Sequence, residues 1–403
     1  MINSLAYSPI TRTPTSEDFS QTLLYRHLHT LLSKPSITPN DAGCQQYLAE
    51  QLVGLGFSCH QFTVNGVSNL VAKIGHGDKR IAFAGHTDVV PPGDLARWKH
   101  QAFTPTIDQG KIYARGIADM KGGIATMLHA FSRVKETLDL VNNQFFFLIT
   151  SDEEGEADFG TKEIVAYLQQ QQLMPHLCIV GEPTASEVTG DVIKVGRRGA
   201  ISGDIVIQGK QGHVAYPHVA KNAAHGAAKL AYLLSELAWD EGSVDFPGSS
   251  LQVTSIDTGP WTDNIIPGSA KVSFNVRYSH KYHQETVEQR IKQIVDEMIN
   301  DELTLSLTWQ RPCIPYFTEK PNNNSISLIT AAEQAIYQVC HRFPRLSTSG
   351  GTSDGRFLAQ SGCQVIELGV PNKTIHQVNE SVEIEDILVL DNIYQQLLLN
   401  LMA

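Results

Sequence analysis

The sequence predicts an α/β protein in which a three-layer domain with a mostly parallel sheet is interrupted by an inserted domain. Short apolar runs alternate with segments of helical period from residue 16 to residue 198, and the same alternation resumes at residue 311. Between residues 199 and 310 the order of segments changes to β-α-β-β-α-β. Nearly continuous apolar strands are typical of parallel sheets that are covered on both faces. A chain of 403 residues is long enough for two such domains.

The first stretch supplies three strands of the predicted parallel sheet. They are RIAFAGH at 80–86, QFFFLITS at 144–151 and HLCIVGEP at 176–183. Helical period appears in DMKGGIATMLHAFSRV at 119–134 and TKEIVAYLQQQ at 161–171. We therefore predict that residues 16–198 belong to this domain and that residues 1–15 form a loose N-terminal tail.

The middle stretch predicts a ferredoxin-like unit. Its strands are AISGDIVIQG at 200–209, SLQVTSIDTG at 250–259, SAKVSFNVRYS at 269–279 and LTLSLTWQ at 303–310. Its helices lie at 221–238 and 284–299. The third strand alternates apolar and polar residues, which predicts one buried and one polar sheet face. We assign residues 199–310 to an inserted domain.

The last stretch returns to the α/β pattern. A helix at 327–343, a strand at 363–369, a loop with His376 and a terminal helix at 385–402 complete it. Because this stretch continues the pattern of the first, residues 16–198 and 311–403 are predicted to form one discontinuous domain.

Composition limits the classes of binding partner and the cellular compartment that the sequence predicts. The net charge of −11 disfavours nucleic acids and anionic membranes as partners. The sequence has no apolar run long enough to span a membrane, and its first residues lack the pattern of a signal peptide. Six cysteines are scattered without a CxxC pair, which predicts a reduced, cytoplasmic protein.

Acidic and imidazole side chains follow several of the predicted strands or lie in neighbouring loops. Each has an ordinary explanation by itself: a hydrogen-bonded loop pair for His-x-Asp, a helix N-cap for an Asp before a helix, a turn for Glu-Pro. Ligands of open α/β sheets bind at the carboxyl ends of the strands, so these groups should converge. They are His86, Asp88, Asp119, Glu153, Glu154, Glu182 and His376.

Clustered carboxylates repel one another, so a cation must compensate them, and a mixture with histidines suits zinc. Two Zn²⁺ would be balanced by Asp119, Glu154, Glu182 and one bridging hydroxide. Such a centre lowers the pKa of bound water from about 16 toward roughly 7. Asp88 would orient the imidazole of His86 through its second nitrogen. Glu153, facing the opposite way from Glu154, would be free to act as the general base.

Four motifs resemble the co-catalytic zinc hydrolases of the M20 family. They are GHTDVVPPGD from residue 85, ARGIADMKGG from residue 114, TSDEEG from residue 150 and VGEP from residue 180. The resemblance covers nearly the whole chain after residue 16, and it implies that the inserted domain of residues 199–310 acts as a lid and in dimerisation. It implies two zinc ions per subunit, for which cobalt can substitute. One zinc would be held by His86 and Glu182, the other by Glu154 and His376, with Asp119 bridging.

The same resemblance implies roles for residues outside this cluster. His213 would be an oxyanion-stabilising donor supplied by the partner subunit of a homodimer, with Tyr216 and Asn264 from the same inserted domain. Gly351 and Thr352, in STSGGTSDGR, would bind the amino-acid end of the substrate. Arg197 and Arg277 are candidates for a substrate carboxylate. His213 and Arg277 could instead be solvated surface residues, the glycine-rich stretch a plain turn, and Arg198 and Arg356 structural residues.

Further segments narrow the implied activity. QGHVAYPH, TDNIIPGSAKVSFNVRYS and GVPNKTIHQVNE are similar to members that hydrolyse N-succinyl-LL-2,6-diaminopimelate to succinate and LL-2,6-diaminopimelate. The alternative within the family is another N-acyl amino acid deacylase, such as acetylornithine deacetylase. The alternative from another class is a metal-dependent binding protein without catalysis, which would leave Glu153 with no task.

Overall fold

The computed structural model describes residues 16–300, 302–320 and 327–403, so the predicted N-terminal tail lies outside the described residues. Its α-helices are α1 (Ser16–Ser20), α2 (Leu23–Leu32), α3 (Cys44–Gly54), α4 (Lys121–Val134), α5 (Thr161–Gln170), α6 (Ala223–Ser235), α7 (Gln284–Met298), α8 (Leu328–Cys340), α9 (Gly355–Ala359) and α10 (Ile384–Met402). Its strands are β1 (Ser58–Val64), β2 (Val67–Gly75), β3 (Lys79–His86), β4 (Thr106–Asp108), β5 (Lys111–Tyr113), β6 (Asn143–Thr150), β7 (Leu177–Val180), β8 (Val192–Lys194), β9 (Gly196–Arg197), β10 (Gly199–Gln208), β11 (Gly212–His213), β12 (Ser250–Asp257), β13 (Ile265–Ile266), β14 (Ser269–Tyr278), β15 (Thr304–Cys313), β16 (Tyr316–Phe317), β17 (Arg345–Ser347), β18 (Gln364–Glu367) and β19 (Ser381–Glu383).

The large sheet has eight strands in the order β1-β2-β6-β3-β7-β18-β8-β17. Its centre is parallel, because β6, β3, β7 and β18 pair in the same direction. Strands β1 and β2 extend one side antiparallel, and β8 does so beyond β18. The α/β fold class and the mainly parallel sheet predicted from the sequence are confirmed.

Aromatic side chains form much of the core beside this sheet. Phe131 of α4 stacks on Phe145 of β6, with ring centroids 5.1 Å apart. Phe145 and Phe147 project from the same face of β6, and Phe147 meets Phe83 of β3 at 5.7 Å. Because β3 and β6 are apolar and buried along most of their length, their ends are held rigidly.

The second sheet has four antiparallel strands in the order β12-β14-β10-β15. This is the strand order of a ferredoxin-like β-α-β-β-α-β unit, with α6 after β10 and α7 after β14. The alternation predicted for β14 is present: Ala270, Val272, Phe274, Val276 and Tyr278 are buried, and one apolar side of α6 and one of α7 are buried with them.

The described residues divide into two compact units. Unit 1 takes its residues from Met1–Val195, Thr318–Leu346 and Phe357–Ala403, and unit 2 from Gly196–Phe317 and Ser347–Arg356. The boundaries expected from the sequence lay after residue 198 and before residue 311. The segment Ser347–Arg356 was expected in the discontinuous domain, but Arg197 Nη1 donates to the Ser349 carbonyl at 3.1 Å and Thr348 donates to the Asp245 carbonyl, which ties it to unit 2.

Within the described ranges, no helix combines the length and the hydropathy that crossing a membrane requires. The six cysteines are free thiols, four of them buried.

Candidate metal centre

The ends of three parallel strands bring the predicted site residues of unit 1 together. In the register of the sheet, His86 at the end of β3 lies opposite Thr150 at the end of β6, and Ala84 lies opposite Val180 at the end of β7. The turn after β6 and the residues after β7 therefore start at the same edge of the sheet as His86. This is the edge at which open α/β sheets bind ligands.

His86 is buried, and its two ring nitrogens have different partners. Nδ1 lies 2.9 Å from the main-chain carbonyl of Asp88, and 3.5 Å from the Asp88 carboxylate. Donation from Nδ1 to that carbonyl leaves Nε2, which lies 3.2 Å from Asp119 Oδ1 and 3.7 Å from Glu182 Oε1, without a proton in the neutral ring. Of the two groups of Asp88, the main-chain carbonyl therefore makes the shorter contact with His86 Nδ1.

The carboxylate of Asp88 holds the turn after β6 instead. It accepts hydrogen bonds from the backbone N–H groups of Glu153 at 3.4 Å and Glu154 at 3.1 Å. Asp88 is fully buried, so these contacts satisfy a charge that would otherwise be costly. One residue therefore positions both His86 and the two acids of the turn.

Asp119 lies between the two histidines. Its Oδ1 faces His86 Nε2 at 3.2 Å, and its Oδ2 faces His376 Nε2 at 3.4 Å. The alternative of a helix cap does not apply, because Met120 is the N-cap of α4 and no side chain caps that end. A Cβ at Gly123 would lie 2.5 Å from the Gly181 carbonyl oxygen, so only glycine lets α4 come this near to the residue before Glu182.

Glu154 and His376 form the other close pair, with Oε1 and Nε2 2.9 Å apart. The side chain of His376 is 49% exposed, whereas Glu154 is nearly buried. His376 has φ of 60°, a left-handed conformation that a residue with a side chain adopts rarely. Backbone strain of this kind is concentrated at functional sites.

Glu153 is predicted from the sequence to face the opposite way from Glu154, and in the structure its carboxylate lies beside His86. Its Oε2 lies 3.9 Å from His86 Nε2. Glu153 and Glu154 lie in the turn after β6, where the side-chain alternation of a strand does not hold. Glu153 therefore shares the space in front of His86 with Glu182.

Two sets of donor atoms among the described residues are compact enough to hold a cation. His86 with Glu153 and Glu182, and His86 with Asp119 and Glu154, each have their donor atoms within 4.8 Å of one another. Oε1 of Glu182 is buried and has no hydrogen-bond partner among the described residues. A buried carboxylate oxygen without a donor is costly, and a metal ion would satisfy it. The residues thus fit a metal centre with nitrogen and oxygen ligands.

The electrostatics of the cluster point the same way. Hydrogen bonds to Asp119 and Glu154 raise the pKa of His376 to about 10. Burial, together with the charges of Asp119 and Glu153, raises the pKa of Glu182 well above its usual range. Burial lowers the pKa of His86, but hydrogen bonds to Asp119 and Asp88 outweigh it and raise the pKa overall. Without a cation, the cluster therefore recruits protons to offset its negative charge.

Four charged residues that support the cluster were not assigned roles from the sequence. The buried carboxylate of Asp152 accepts from the backbone N–H groups of Asp158 at 3.0 Å and Phe159 at 3.1 Å, which closes the turn. Lys121 is fully buried and donates to the Leu31 carbonyl at 3.0 Å and the Lys34 carbonyl at 2.8 Å. Arg115 and Glu380 form a buried ion pair at 2.7 Å. All four lie within four residues of a predicted ligand along the sequence, and that proximity is the one signal that marks them.

In unit 2, three of the predicted residues lie together. His213 of β11 pairs with Ile265 of β13, and the Asn264 carbonyl accepts from Val214 N–H at 3.1 Å. The rings of His213 and Tyr216 are 5.8 Å apart, and both residues are exposed. His213 Nδ1 accepts from the Ala215 N–H at 3.0 Å, so in the neutral ring Nε2 carries the proton and can donate.

The other candidates of unit 2 form a second group. Arg197 is buried and packs against Gly350, which precedes Gly351 and Thr352 in the sequence. A Cβ added at Gly350 would lie 2.3 Å from Arg197 Nη1. Arg277 of β14 donates to Asn275 Oδ1 at 3.0 Å on the polar side of the strand. Arg198 Nη1 donates to the Gly248 carbonyl at 3.0 Å, and Arg356 Nη1 donates to the Ser353 carbonyl at 3.0 Å.

Comparison with known proteins adds a family to this geometry. A family model described as peptidase family M20/M25/M40 matches residues 82–400. Succinyl-diaminopimelate desuccinylase 2 of Shewanella loihica is 52% identical over 93% of this chain and 98% of its own length. Succinyl-diaminopimelate desuccinylase 1 of Alteromonas mediterranea is 50% identical over 93% and 96%, and the desuccinylase of Coxiella burnetii is 43% identical over 91% and 96%.

Solved structures share the fold at lower identity. The M20 family metallo-carboxypeptidase Sso-CP2 of Sulfolobus solfataricus superposes with a TM-score of 0.76 at 18% identity, covering 94% of this chain and 98% of that one. A Bacillus subtilis protein described as a dinuclear metal-binding peptidase of the M20 family has a TM-score of 0.67 at 14% identity, covering 93% and 96%. These likenesses bear on the fold alone.

Proposed function

The chain belongs to peptidase family M20/M25/M40, and we propose that it hydrolyses the amide bond of N-succinyl-LL-2,6-diaminopimelate to give succinate and LL-2,6-diaminopimelate. The observation that carries the substrate is 43–52% identity, along more than nine-tenths of both chains, to proteins named succinyl-diaminopimelate desuccinylase. The reaction serves the synthesis of lysine and meso-diaminopimelate. The cluster of carboxylates and histidines at the end of the parallel sheet supports the chemistry of a metal-dependent amidohydrolase.

The metal would be zinc, two ions per subunit, with cobalt as a substitute. His86 and Glu182 would hold one ion, Glu154 and His376 the other, and Asp119 would lie between them. This division is supported by the two oxygens of Asp119, which face different imidazoles at 3.2 and 3.4 Å. Bound zinc would supply Lewis-acid polarisation of the amide carbonyl and a lower pKa for the attacking water.

Glu153 is the proposed general base and acid. Its carboxylate lies 3.9 Å from His86 Nε2, and it is the acid left over when Asp119, Glu154 and Glu182 are assigned to the metals. It accepts a proton from the attacking water and delivers that proton to the amide nitrogen as the C–N bond breaks. Asp88 positions Glu153 and Glu154 through their backbone N–H groups.

Residues of unit 2 would recognise the rest of the substrate. His213, with a protonated Nε2 in its neutral form, would donate to the oxygen on which negative charge develops, accompanied by Tyr216 and Asn264. Arg197 and Arg277 would bind substrate carboxylates, and Gly351 and Thr352 the amino-acid end. Guanidinium groups match carboxylates in charge and shape, which supports this assignment.

The active species would be a homodimer in the cytoplasm, with His213 provided by the partner subunit. Strand β12 is at the edge of the four-stranded sheet, and such an edge is available for pairing with a second copy. The free thiols suit a reducing compartment.

The test is a side-by-side assay of N-succinyl-LL-2,6-diaminopimelate and N-acetylornithine with added zinc, with Glu153→Ala as the inactive control. We expect kcat/KM for the succinyl substrate to be higher by at least about 10²-fold, because the acetyl group lacks the free carboxylate of the succinyl group, which the arginines would bind. Equal or faster turnover of N-acetylornithine would contradict the proposed substrate. Hydrolysis of neither compound would contradict the proposed activity.

A further inference from the structure

Glu380 is a buried carboxylate for which the proposed reaction has no use. It lies four residues after His376 and is 1% exposed. Among the described residues, the hydrogen bonds of its carboxylate go to one short segment, residues 115–119, that ends in Asp119. Oε2 accepts from Arg115 Nη1 at 2.7 Å and from the Gly116 N–H at 2.9 Å. Oε1 accepts from the Ala118 N–H at 2.9 Å and the Asp119 N–H at 3.2 Å.

This arrangement joins the segments of two candidate ligands. The backbone of residues 116–119 wraps the carboxylate, and the Glu380 carbonyl accepts from the Ala114 N–H at 3.2 Å. Glu380 therefore fixes the position of the Asp119 main chain relative to the loop of His376. The loop needs such support, because both His376 and Asn379 have left-handed φ, 60° and 64°.

Arg115 extends the same network to a third loop, the one that follows His86 and Asp88. Arg115 is 2% exposed, and its Nη2 donates to the Pro91 carbonyl at 3.3 Å. Its guanidinium lies 5.3 Å from the ring centre of Trp98. The Arg115–Glu380 pair thus contacts all three loops that lead to or from His86, Asp119 and His376.

We propose that Glu380 is a positioning residue for the metal centre, which sets Asp119 between His86 and His376 through the backbone of residues 116–119. A buried ion pair is a weak source of stability, because desolvation offsets most of its attraction. Partners that orient metal ligands affect affinity and activity strongly. This inference rests on the ligand roles of Asp119 and His376 in the proposed function.

Glu380→Gln is the informative variant. It keeps the shape of the side chain but replaces one oxygen by an NH₂ group, while all four partners of Glu380 are donors. In either orientation of the amide, its NH₂ group faces two N–H donors that the carboxylate oxygen accepted from. We expect the affinity for zinc to fall by about 10–100-fold at both metals, because the displaced Asp119 lies between them.

The matched control is Asp391→Asn. Asp391 is also a buried carboxylate in an ion pair, accepting from Arg133 Nη1 at 2.7 Å and lying 2.8 Å from His129 Nδ1. It joins α10 to α4 without contacting residues 115–119. We expect this variant to lose thermal stability and to keep the zinc affinity of the wild type.

The measurement is a titration of Zn²⁺ into metal-free full-length protein in competition with a chromophoric chelator, alongside thermal unfolding of each metal-free variant and kcat and KM at saturating zinc. The expected pattern is weakened binding at both metals and a lower kcat with little change in KM for Glu380→Gln alone. Wild-type zinc affinity in Glu380→Gln, with a loss of stability like that of Asp391→Asn, overturns the proposal. Weakening of one metal only also overturns it, because Asp119 would then not be the ligand displaced.

Two further variants keep the outcome decisive. Glu380→Asp keeps the charge but is one methylene shorter, so it cannot reach both sides; if Glu380→Gln fails to fold, normal zinc affinity in Glu380→Asp overturns the proposal. Asp119→Asn tests the ligand role by itself. Wild-type affinity in Asp119→Asn contradicts the proposed ligand set, whereas a loss there with none in Glu380→Gln contradicts only the positioning role.

Discussion

Single side chains divide the work at the end of the parallel sheet. Asp88 uses its carbonyl for His86 and its carboxylate for the turn of Glu153 and Glu154. Asp119 uses its two oxygens for two different histidines. Since the acids have different geometric tasks, variants of different acids should lose different properties.

Glu153→Ala is expected to retain metal binding and to lower kcat/KM by about 10²–10⁴-fold, the usual contribution of general acid–base catalysis. Metal analysis and rates on purified protein test this. Glu156→Ala, an exposed acid in the same turn, is the control and should keep the wild-type rate. A wild-type rate in Glu153→Ala would show that another group moves the proton.

His376→Ala should weaken one metal far more than the other. Only the ion held by Glu154 and His376 loses a ligand, while Asp119 remains available to both. Zinc titration of the metal-free variant should resolve one weak and one nearly normal site, and His60→Ala, an exposed histidine on β1, should leave both normal. Equal weakening of both sites contradicts the proposed division of ligands.

At the scale of elements, the sequence predicts to within a few residues helices α4 to α8 and α10, and strands β3, β6, β7, β10, β12, β14, β15 and β18. Apolar runs identify β3, β6 and β7 because buried strands need apolar residues on both faces. It also predicts which acids and histidines converge, since strand ends fix them. It does not predict contacts such as Arg115–Glu380, whose partners are 265 residues apart, because no local pattern pairs them.

The turn after β6 depends on Asp152. Asp152→Ala leaves the N–H groups of Asp158 and Phe159 without their acceptor, and we expect it to lower the free energy of unfolding by about 1–3 kcal/mol. Denaturant unfolding of metal-free protein measures this loss. Asp158→Ala, whose side chain is exposed and lies 3.7 Å from Lys162, should change stability by less than about 0.5 kcal/mol. Equal effects of the two changes contradict the role given to Asp152.

Helix α2 contains a histidine that should make stability depend on pH. Burial, with the nearby charges of His129 and Arg26, lowers the pKa of His27 from 6.5 to about 4. Its Nδ1 lies 2.7 Å from the Tyr47 hydroxyl, and in the neutral ring this nitrogen accepts a hydrogen bond from that hydroxyl. Between pH 6.5 and pH 4, His27 is protonated in the unfolded chain but neutral in the folded chain. Its contribution to the free energy of unfolding is therefore complete above pH 6.5 and is lost as pH falls toward 4.

His27→Asn keeps an acceptor for Tyr47 but cannot titrate. The variant should therefore show a shallower decline of the free energy of unfolding between pH 6.5 and pH 4 than the wild type. Denaturant unfolding of metal-free protein at several pH values tests this. His29→Asn, an exposed histidine in the same helix, should keep the wild-type slope. A slope unchanged by His27→Asn rules out burial of His27 as the cause.

At the scale of the whole molecule, the net charge of the protein has the same sign as the net charge of the proposed substrate. The chain carries a net charge of −11, whereas N-succinyl-LL-2,6-diaminopimelate has three carboxylates. Recognition must then come from local positive groups, and unit 2 offers Arg197 and Arg277. The same unit provides His213, so substrate recognition and oxyanion stabilisation are both proposed for residues far in sequence from the metal ligands.

If His213 acts in the partner subunit, two inactive variants should complement one another. In a mixed dimer of His213→Ala and Glu153→Ala chains, one site combines the intact Glu153 of one chain with the intact His213 of the other. We therefore expect activity to return at up to half of the sites in such heterodimers after subunit exchange. If His213 acts within its own chain, every site keeps one defect. Absence of activity, with exchange demonstrated separately by affinity tags on the two chains, contradicts the arrangement across the dimer.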